Sequence, residues 1–209
     1  MNTKIYYVMD TMCGWCYGFS DVISQIHDKY KKHLDFAVLP AGMWTGKNVH
    51  NMNASLGEMM KSHNVTITRL TGKAFSDEFE EKVLRSNHYI LDSFPGANAV
   101  MVMQTLNKDQ LFEYIKQIYH AFYIQGQNMN DWQLYANLAT KFNISEDIFE
   151  REYFSEVQMQ NVKDGFTLAY KLGVTTYPSV VALLEGKPQL ISQGYKQFSE
   201  IDTAIAKYI

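Results

Sequence analysis

Residues 5–19 read Ile5-Tyr6-Tyr7-Val8-Met9-Asp10-Thr11-Met12-Cys13-Gly14-Trp15-Cys16-Tyr17-Gly18-Phe19, and the apolar spacing runs on through Ile23 and Ile26 to Tyr30. The first five residues form an unbroken apolar run, the pattern of a buried strand. From Cys16 the apolar positions recur at 3, 4, 3 and 4 residues, which is one face of a helix. Cys13 and Cys16, the only cysteines in the chain, therefore fall on a strand-to-helix turn. Cys13 stands at the helix N-terminus and Cys16 one turn inside.

That placement has chemical consequences. Residues i and i+3 on a helix are neighbours, with β-carbons about 5–6 Å apart. A disulfide needs α-carbons about 4.4–6.8 Å apart, so this pair can open and close with little backbone movement. The free N–H groups and dipole of the first helical turn favour an anion. Cys13 is thus expected to attack as the thiolate. Cys16, on the inward face, is expected to stay protonated until a mixed disulfide reaches it. A zinc site needs four ligands, and there is no second cysteine pair, so no metal is expected. Redox chemistry is the preferred reading over two inert core cysteines.

The remainder of the chain bounds the setting. Its 209 residues, 46% of them apolar, suffice for one domain of ordinary size or one carrying a large insertion. A formal net charge of −3 without a basic block speaks against a nucleic-acid surface. No apolar run is long enough to span a bilayer, so no membrane partner is expected. Met1-Asn2-Thr3-Lys4 leads directly into the first strand, which leaves no room for a signal sequence. With no structural disulfide possible, the cytoplasm is the expected compartment.

In chain order, residues 4–10 read as a strand, 14–33 as a helix and 34–39 as a second strand ended by Pro40, which together make a parallel βαβ unit. Residues 41–65 read as irregular. They carry Met43, Trp44, Met52, Met59 and Met60, soft side chains that fill cores more often than they line grooves. Residues 75–91 have a mixed helical pattern. Helices follow at 95–106, 109–124, 131–142 with Asn130 as cap, a short one from Ser145, and 156–172 stopped by Gly173. Then come a strand at 180–184, a turn at Glu185-Gly186-Lys187-Pro188, a partner strand at 189–193 and a last helix through Phe198, Ile201, Ile205 and Tyr208. The order is βαβ, helices, ββα. The helices interrupt the two halves of one sheet, so they read as an insertion in an α/β domain.

Together, the C-x-x-C after the first strand, the ββα ending and Pro178 before the third strand resemble the thioredoxin fold, and the helical insertion is similar to that of the DsbA family. Residues 10–19, the Thr71-Gly72-Lys73-Ala74-Phe75 stretch and the run from Ala169 through Tyr177-Pro178-Ser179 resemble the cytoplasmic DsbA-like proteins described as protein-disulfide isomerases. The resemblance implies a thioredoxin-like domain of residues 1–40 and 173–209, re-entered by the helix at 156–172, with a helical insertion at 41–155. It implies a thiol–disulfide oxidoreductase that uses Cys13 and Cys16, needs no cofactor, and acts on disulfide- or thiol-containing proteins or on glutathione. It also implies that the Tyr177-Pro178 bond is cis and faces the cysteines, with Trp15, Tyr177 and Pro178 meeting the substrate.

Gly14 and Trp15 replace the Pro-His pair of strongly oxidising relatives, so a reducing to intermediate potential is expected. Asp10 reads either as a modulator of the cysteines or as a solvated strand-end residue. Kappa-class glutathione transferases and hydroxychromene carboxylate isomerases share the architecture, but they usually carry Ser at the position of Cys13 and lack the second cysteine. A redox-sensing adaptor without turnover is the non-enzyme alternative.

Overall fold

The computed structural model describes residues 3–209. Strand β1 (Lys4–Met9), helix α1 (Gly14–Tyr30) and strand β2 (Asp35–Pro40) form the first unit. β1 and β2 pair in parallel, with Ile5 opposite Phe36 and Tyr7 opposite Val38. After the helices, strands β5 (Ser179–Leu184) and β6 (Lys187–Gln193) join them, and the order across the sheet is β2-β1-β5-β6. β1 and β5 run antiparallel, with Tyr7 opposite Val180.

β1 is apolar throughout because both of its faces are covered. Ile5, Tyr7 and Met9 face a core shared with Phe19, Ile23 and Ile26 of α1. Tyr6 and Val8 face the other way, onto Ala169, Val174 and Val181. Ala169 lies on helix α8 (Glu156–Lys171), and the helix α9 (Phe198–Ile205) returns to the first face through Ile201 and Ile205.

Between β2 and β5 lie a two-residue strand β3 (His50–Asn51), α2 (Ala54–Thr71), the single turn α3 (Asp77–Phe79), strand β4 (Ile90–Leu91) paired with β3, α4 (Phe94–Leu106), α5 (Leu111–Tyr123), α6 (Trp132–Thr140) and α7 (Glu146–Tyr153). This is the thioredoxin fold with a helical insertion that the sequence implied.

Four local expectations are corrected. Residues 41–65 are irregular only as far as Asn53: Ala54 begins an 18-residue helix that Asn53 caps by accepting from the Leu56 N–H at 3.0 Å. Gly57, a poor helix former, and the asparagines around it hide its first turns from propensity, but Gly57, Asn64 and Ile67 on its inner face are buried. Residues 75–91 form no continuous helix. α3 passes into a π-helical turn over Glu80–Leu84, and this wider turn buries both Val83 and Leu84 beside Phe79. The cap of α6 is Asp131, whose side chain accepts from the Gln133 N–H, while Asn130 donates to the Ile90 carbonyl. The last hairpin turns in two residues, Glu185 and Gly186, both at positive φ (50° and 77°), as a primed turn requires. Lys187 and Pro188 belong to β6, where an edge strand tolerates proline.

A Cβ at Gly57 would lie 2.3 Å from the Leu84 carbonyl oxygen, a backbone atom that cannot swing aside. Gly57→Ala is therefore expected to destabilise the protein by about 1–3 kcal/mol, despite the better helix propensity of alanine. Urea unfolding checks this, and an unchanged or raised midpoint would contradict the packing.

Candidate active site

Cys13 caps α1. Its backbone is extended (φ −88°, ψ 111°), and its sulfur accepts the Cys16 N–H at 3.3 Å. A thiol is an unusual helix cap, since that place is commonly held by an oxygen of Ser, Thr, Asp or Asn. Here it puts sulfur against the free amides of the first turn. Cys13 is 6% exposed and Cys16 fully buried, and both are free thiols. Burial, followed by the adjoining Cys13, pushes the Cys16 thiol well above its ordinary value. The two sulfurs thus differ in surroundings as their sequence positions anticipated.

The Tyr177-Pro178 bond is cis. It precedes β5, which pairs with β1, so the loop lies at the same end of the sheet as Cys13. The Cys13 thiol donates to the Tyr177 carbonyl oxygen at 3.8 Å. Trp15 is half-buried rather than exposed, with its ring centroid 6.4 Å from that of Tyr195. Trp15, Tyr177, Gly194 and Tyr195 line one cavity, of about 520 Å³.

Asp10 is not a solvated strand-end residue. It is 2% exposed, and its two carboxylate oxygens accept separate backbone N–H groups, Met12 at 2.9 Å and Met43 at 2.8 Å. Its carbonyl accepts the Cys13 N–H at 3.2 Å and the Tyr119 hydroxyl at 3.2 Å. One residue therefore pins the turn before Cys13 to the loop after β2. Burial raises the Asp10 carboxyl above the ordinary range, and the Met12 and Met43 N–H groups oppose it. On Cys16 Asp10 acts in both directions: its backbone lowers the thiol value, and its charge, a smaller influence, raises it.

The helix α2 supplies what sequence reading missed. α1 and α2 approach closely through Gly14 and Gly18. A Cβ at either would lie 2.9 Å from a side chain of α2, Ile67 for Gly14 and Thr71 for Gly18. Glycine between the cysteines thus admits the neighbouring helix. α2 then forms the second wall beside Cys13: Met43, Trp44, Met59, Met60, Ile67 and Tyr123 line a cavity of about 190 Å³ with it. The methionines split accordingly, with Met52 in the core and the other three at the cavity. Asn53 with the 4, 4, 3, 4 spacing of Leu56, Met60, Asn64, Ile67 and Thr71 was the available signal for this helix. Beneath lies a tyrosine cluster in which Tyr17 stacks on Tyr123 at 4.7 Å and tilts against Tyr119 at 5.8 Å. No periodicity distinguished it from ordinary core.

His27 and His33 stand six apart, a spacing metal sites use. His27 is instead packed on the rings of Phe112 and Phe36 at 4.4 and 5.2 Å. Among the described residues, no group of three or more His, Cys, Asp and Glu is arranged to hold a metal ion. Among the described residues, no helix is long and apolar enough to cross a membrane.

The family model described as Thioredoxin matches residues 6–197. The chain belongs to the thioredoxin family. No curated protein matches it by sequence. Among solved structures, it is similar to one from Nitrosomonas europaea provisionally described as a protein disulfide isomerase. That match has a TM-score of 0.90 at 22% identity and covers 100% of this chain and 98% of the other. It is also similar to the cytosolic disulfide reductase DsbM from Pseudomonas aeruginosa, with a TM-score of 0.75 at 22% identity, covering 90% of this chain and 89% of that one. The structure of DsbM with GSH aligns at 0.74 and 24% identity over the same shares of the two chains. These likenesses show the thioredoxin fold with its helical insertion.

The Asp10 carboxyl has a pH signature. Its folded-state affinity for a proton exceeds the unfolded one, so its contribution to stability is fully present below the unfolded value of about 3.9. That contribution is lost as pH rises through the raised folded value. Asp10→Asn lacks this slope. The wild-type stability advantage over Asp10→Asn is therefore expected to shrink as urea midpoints are followed from about pH 3 upwards. An advantage that grows with pH would contradict the assignment.

Proposed function

We propose that this protein is a thiol–disulfide oxidoreductase in which Cys13 attacks and Cys16 resolves. The observation that supports the reading best is the position of the Cys13 sulfur. It accepts the Cys16 amide at the head of α1, lies beside the Tyr177 carbonyl, and opens onto a cavity on the α2 side.

In the reducing direction, the Cys13 thiolate displaces one sulfur of a substrate disulfide. The substrate S–S bond breaks as the mixed disulfide forms, and the departing sulfur takes up a proton. Cys16 loses its proton and attacks the Cys13 sulfur. The second substrate thiol leaves, and the protein holds the Cys13–Cys16 disulfide. Two electrons have passed to substrate. The reverse sequence makes a disulfide in substrate, and the reduction potential of the pair decides which way it runs.

Trp15, Tyr177 and Pro178 meet the substrate in this reading, and its backbone can pair with the chain before Pro178 as a short added strand. Asp10 is a positioning residue that holds the turn before Cys13. The substrates are proteins or small molecules carrying a disulfide or thiol. A reducing compartment, the cytoplasm, suits a chain whose only two cysteines are both given to exchange.

Cys16→Ser is expected to accumulate covalent adducts with disulfide substrates on non-reducing gels, because the second displacement is blocked. Cys13→Ser should accumulate none, because its remaining thiol is buried. Equal trapping by both variants would overturn the division of roles. Failure of the wild type to catalyse insulin reduction by dithiothreitol would overturn the enzyme reading itself.

A further inference from the structure

The buried tyrosines of this core share one habit, and two of them break it. The hydroxyls of Tyr17, Tyr89, Tyr114, Tyr119, Tyr135 and Tyr153 each donate to a backbone carbonyl at 2.7–3.2 Å. Among the described residues, the buried hydroxyls of Tyr7 and Tyr123 have no hydrogen-bond partner. Buried polar groups are ordinarily paired, and leaving one unpaired is destabilising. Both exceptions stand by the cysteines. Burial aside, Cys16 bears most strongly on Tyr7, and Cys13 on Tyr123.

Tyr7 is fully buried on the core face of β1. Its ring lies 5.9 Å from that of Phe19, which follows Cys16 by one turn of α1. Cys16 and Tyr119 are the side chains that bear on its proton through hydrogen bonding, although neither bond is formed at rest. Tyr119 already gives its own proton to the Asp10 carbonyl. Burial, followed by the charge of Cys16, pushes the Tyr7 phenol well above its ordinary value, so its hydroxyl keeps its proton and acts as a donor rather than a base. Cys16 is the group in need of such a donor. It must become a thiolate while fully buried, and the foremost influences on it are burial, Cys13 and Asp10, with no cation among them. An unpaired anion in such surroundings is costly, and a hydrogen bond to an ionised acceptor is stronger than one to a neutral acceptor.

Resting on the oxidoreductase reading above, we propose that Tyr7 is the hydrogen-bond donor to the Cys16 sulfur as that sulfur turns from thiol to thiolate. The Tyr7 hydroxyl rotates onto Cys16 as the Cys16 proton leaves. Cys16 then attacks the Cys13 sulfur, and the bond from Cys13 to substrate breaks. The departing substrate sulfur carries off the electron pair and takes up a proton. Tyr7 ends with the proton it began with. When an incoming thiolate instead opens the Cys13–Cys16 disulfide at Cys13, Cys16 leaves as the thiolate and accepts from the same hydroxyl. The hydroxyl is unpaired at rest because its partner is an anion that exists only during exchange.

The test uses the reduced protein and dithiodipyridine, an uncharged disulfide whose two thiopyridone products are released in turn. The first is released when Cys13 attacks and the second when Cys16 resolves. Tyr7→Phe is expected to slow the second release about tenfold at neutral pH and to leave the first unchanged. The rise of the second release with pH should also move to higher pH. Asp10, Tyr7, Tyr119, Tyr123 and Tyr177 are the titratable side chains that bear on Cys16 in that step. Tyr7→Phe should keep or raise the urea midpoint, because it deletes an unpaired group. Tyr114→Phe should lower it, because the buried Tyr135 carbonyl loses its donor. A second release unmoved by Tyr7→Phe, both releases slowed alike, or a midpoint lowered as far as by Tyr114→Phe would overturn the assignment of Tyr7 and leave the oxidoreductase reading intact. A wild type that releases only one thiopyridone would overturn the attack-and-resolve reading and the assignment with it.

Discussion

The site depends on a sulfur standing where an oxygen usually caps a helix. The Cys16 amide that Cys13 accepts is a donor the helix cannot satisfy internally. Binding it fixes the sulfur at the positive end of α1 and one turn from its partner. The same contact therefore completes the helix, orients the Cys13 sulfur and sets the spacing of the pair. The surrounding parts act by holding that turn still. Asp10 ties it to the loop after β2 through two backbone amides, and the chain before Pro178 places a carbonyl 3.8 Å from the sulfur.

That arrangement links the packing to the chemistry. β1 must end beside the Pro178 loop because it pairs with β5, and α1 must begin there because it follows β1 directly. The interior alternation of β1 locks this in place. A one-residue slip would turn Tyr7 and Met9 away from the core they share with Phe19 and Ile23. Gly14 and Gly18 then let α2 lie against the first turns of α1. A helix of the insertion thereby becomes a wall of the cavity beside Cys13, and the insertion shapes what can reach the sulfur.

Much of this was legible in the chain. The C-x-x-C pair at a strand–helix boundary, the parallel βαβ start and the ββα ending all follow from short-range patterns, and Pro178 was marked as facing the cysteines by resemblance. The reading failed where local preference and tertiary demand diverge. Gly57 and the asparagines near it concealed the first turns of α2, a helix held by its packed inner face. The π turn at Glu80–Leu84 exists because three apolar residues must all point inward. Asp10 left two readings open, a modulator of the cysteines or a solvated strand end; it is buried, where two backbone amides need an acceptor.

The sequence alone determined the cysteine pair, its place at the head of a helix and the order of elements along the chain. These rest on spacing along the chain, and spacing is written in the residues themselves. The tertiary structure decided which cysteine reaches a cavity and which is sealed. It also decided that Asp10 serves the backbone and not the solvent, and that Met43, Met59, Met60 and Tyr123 gather beside Cys13 from segments up to 80 positions apart. Such neighbours are brought together by the closing of the core, and no local pattern records which distant faces will meet.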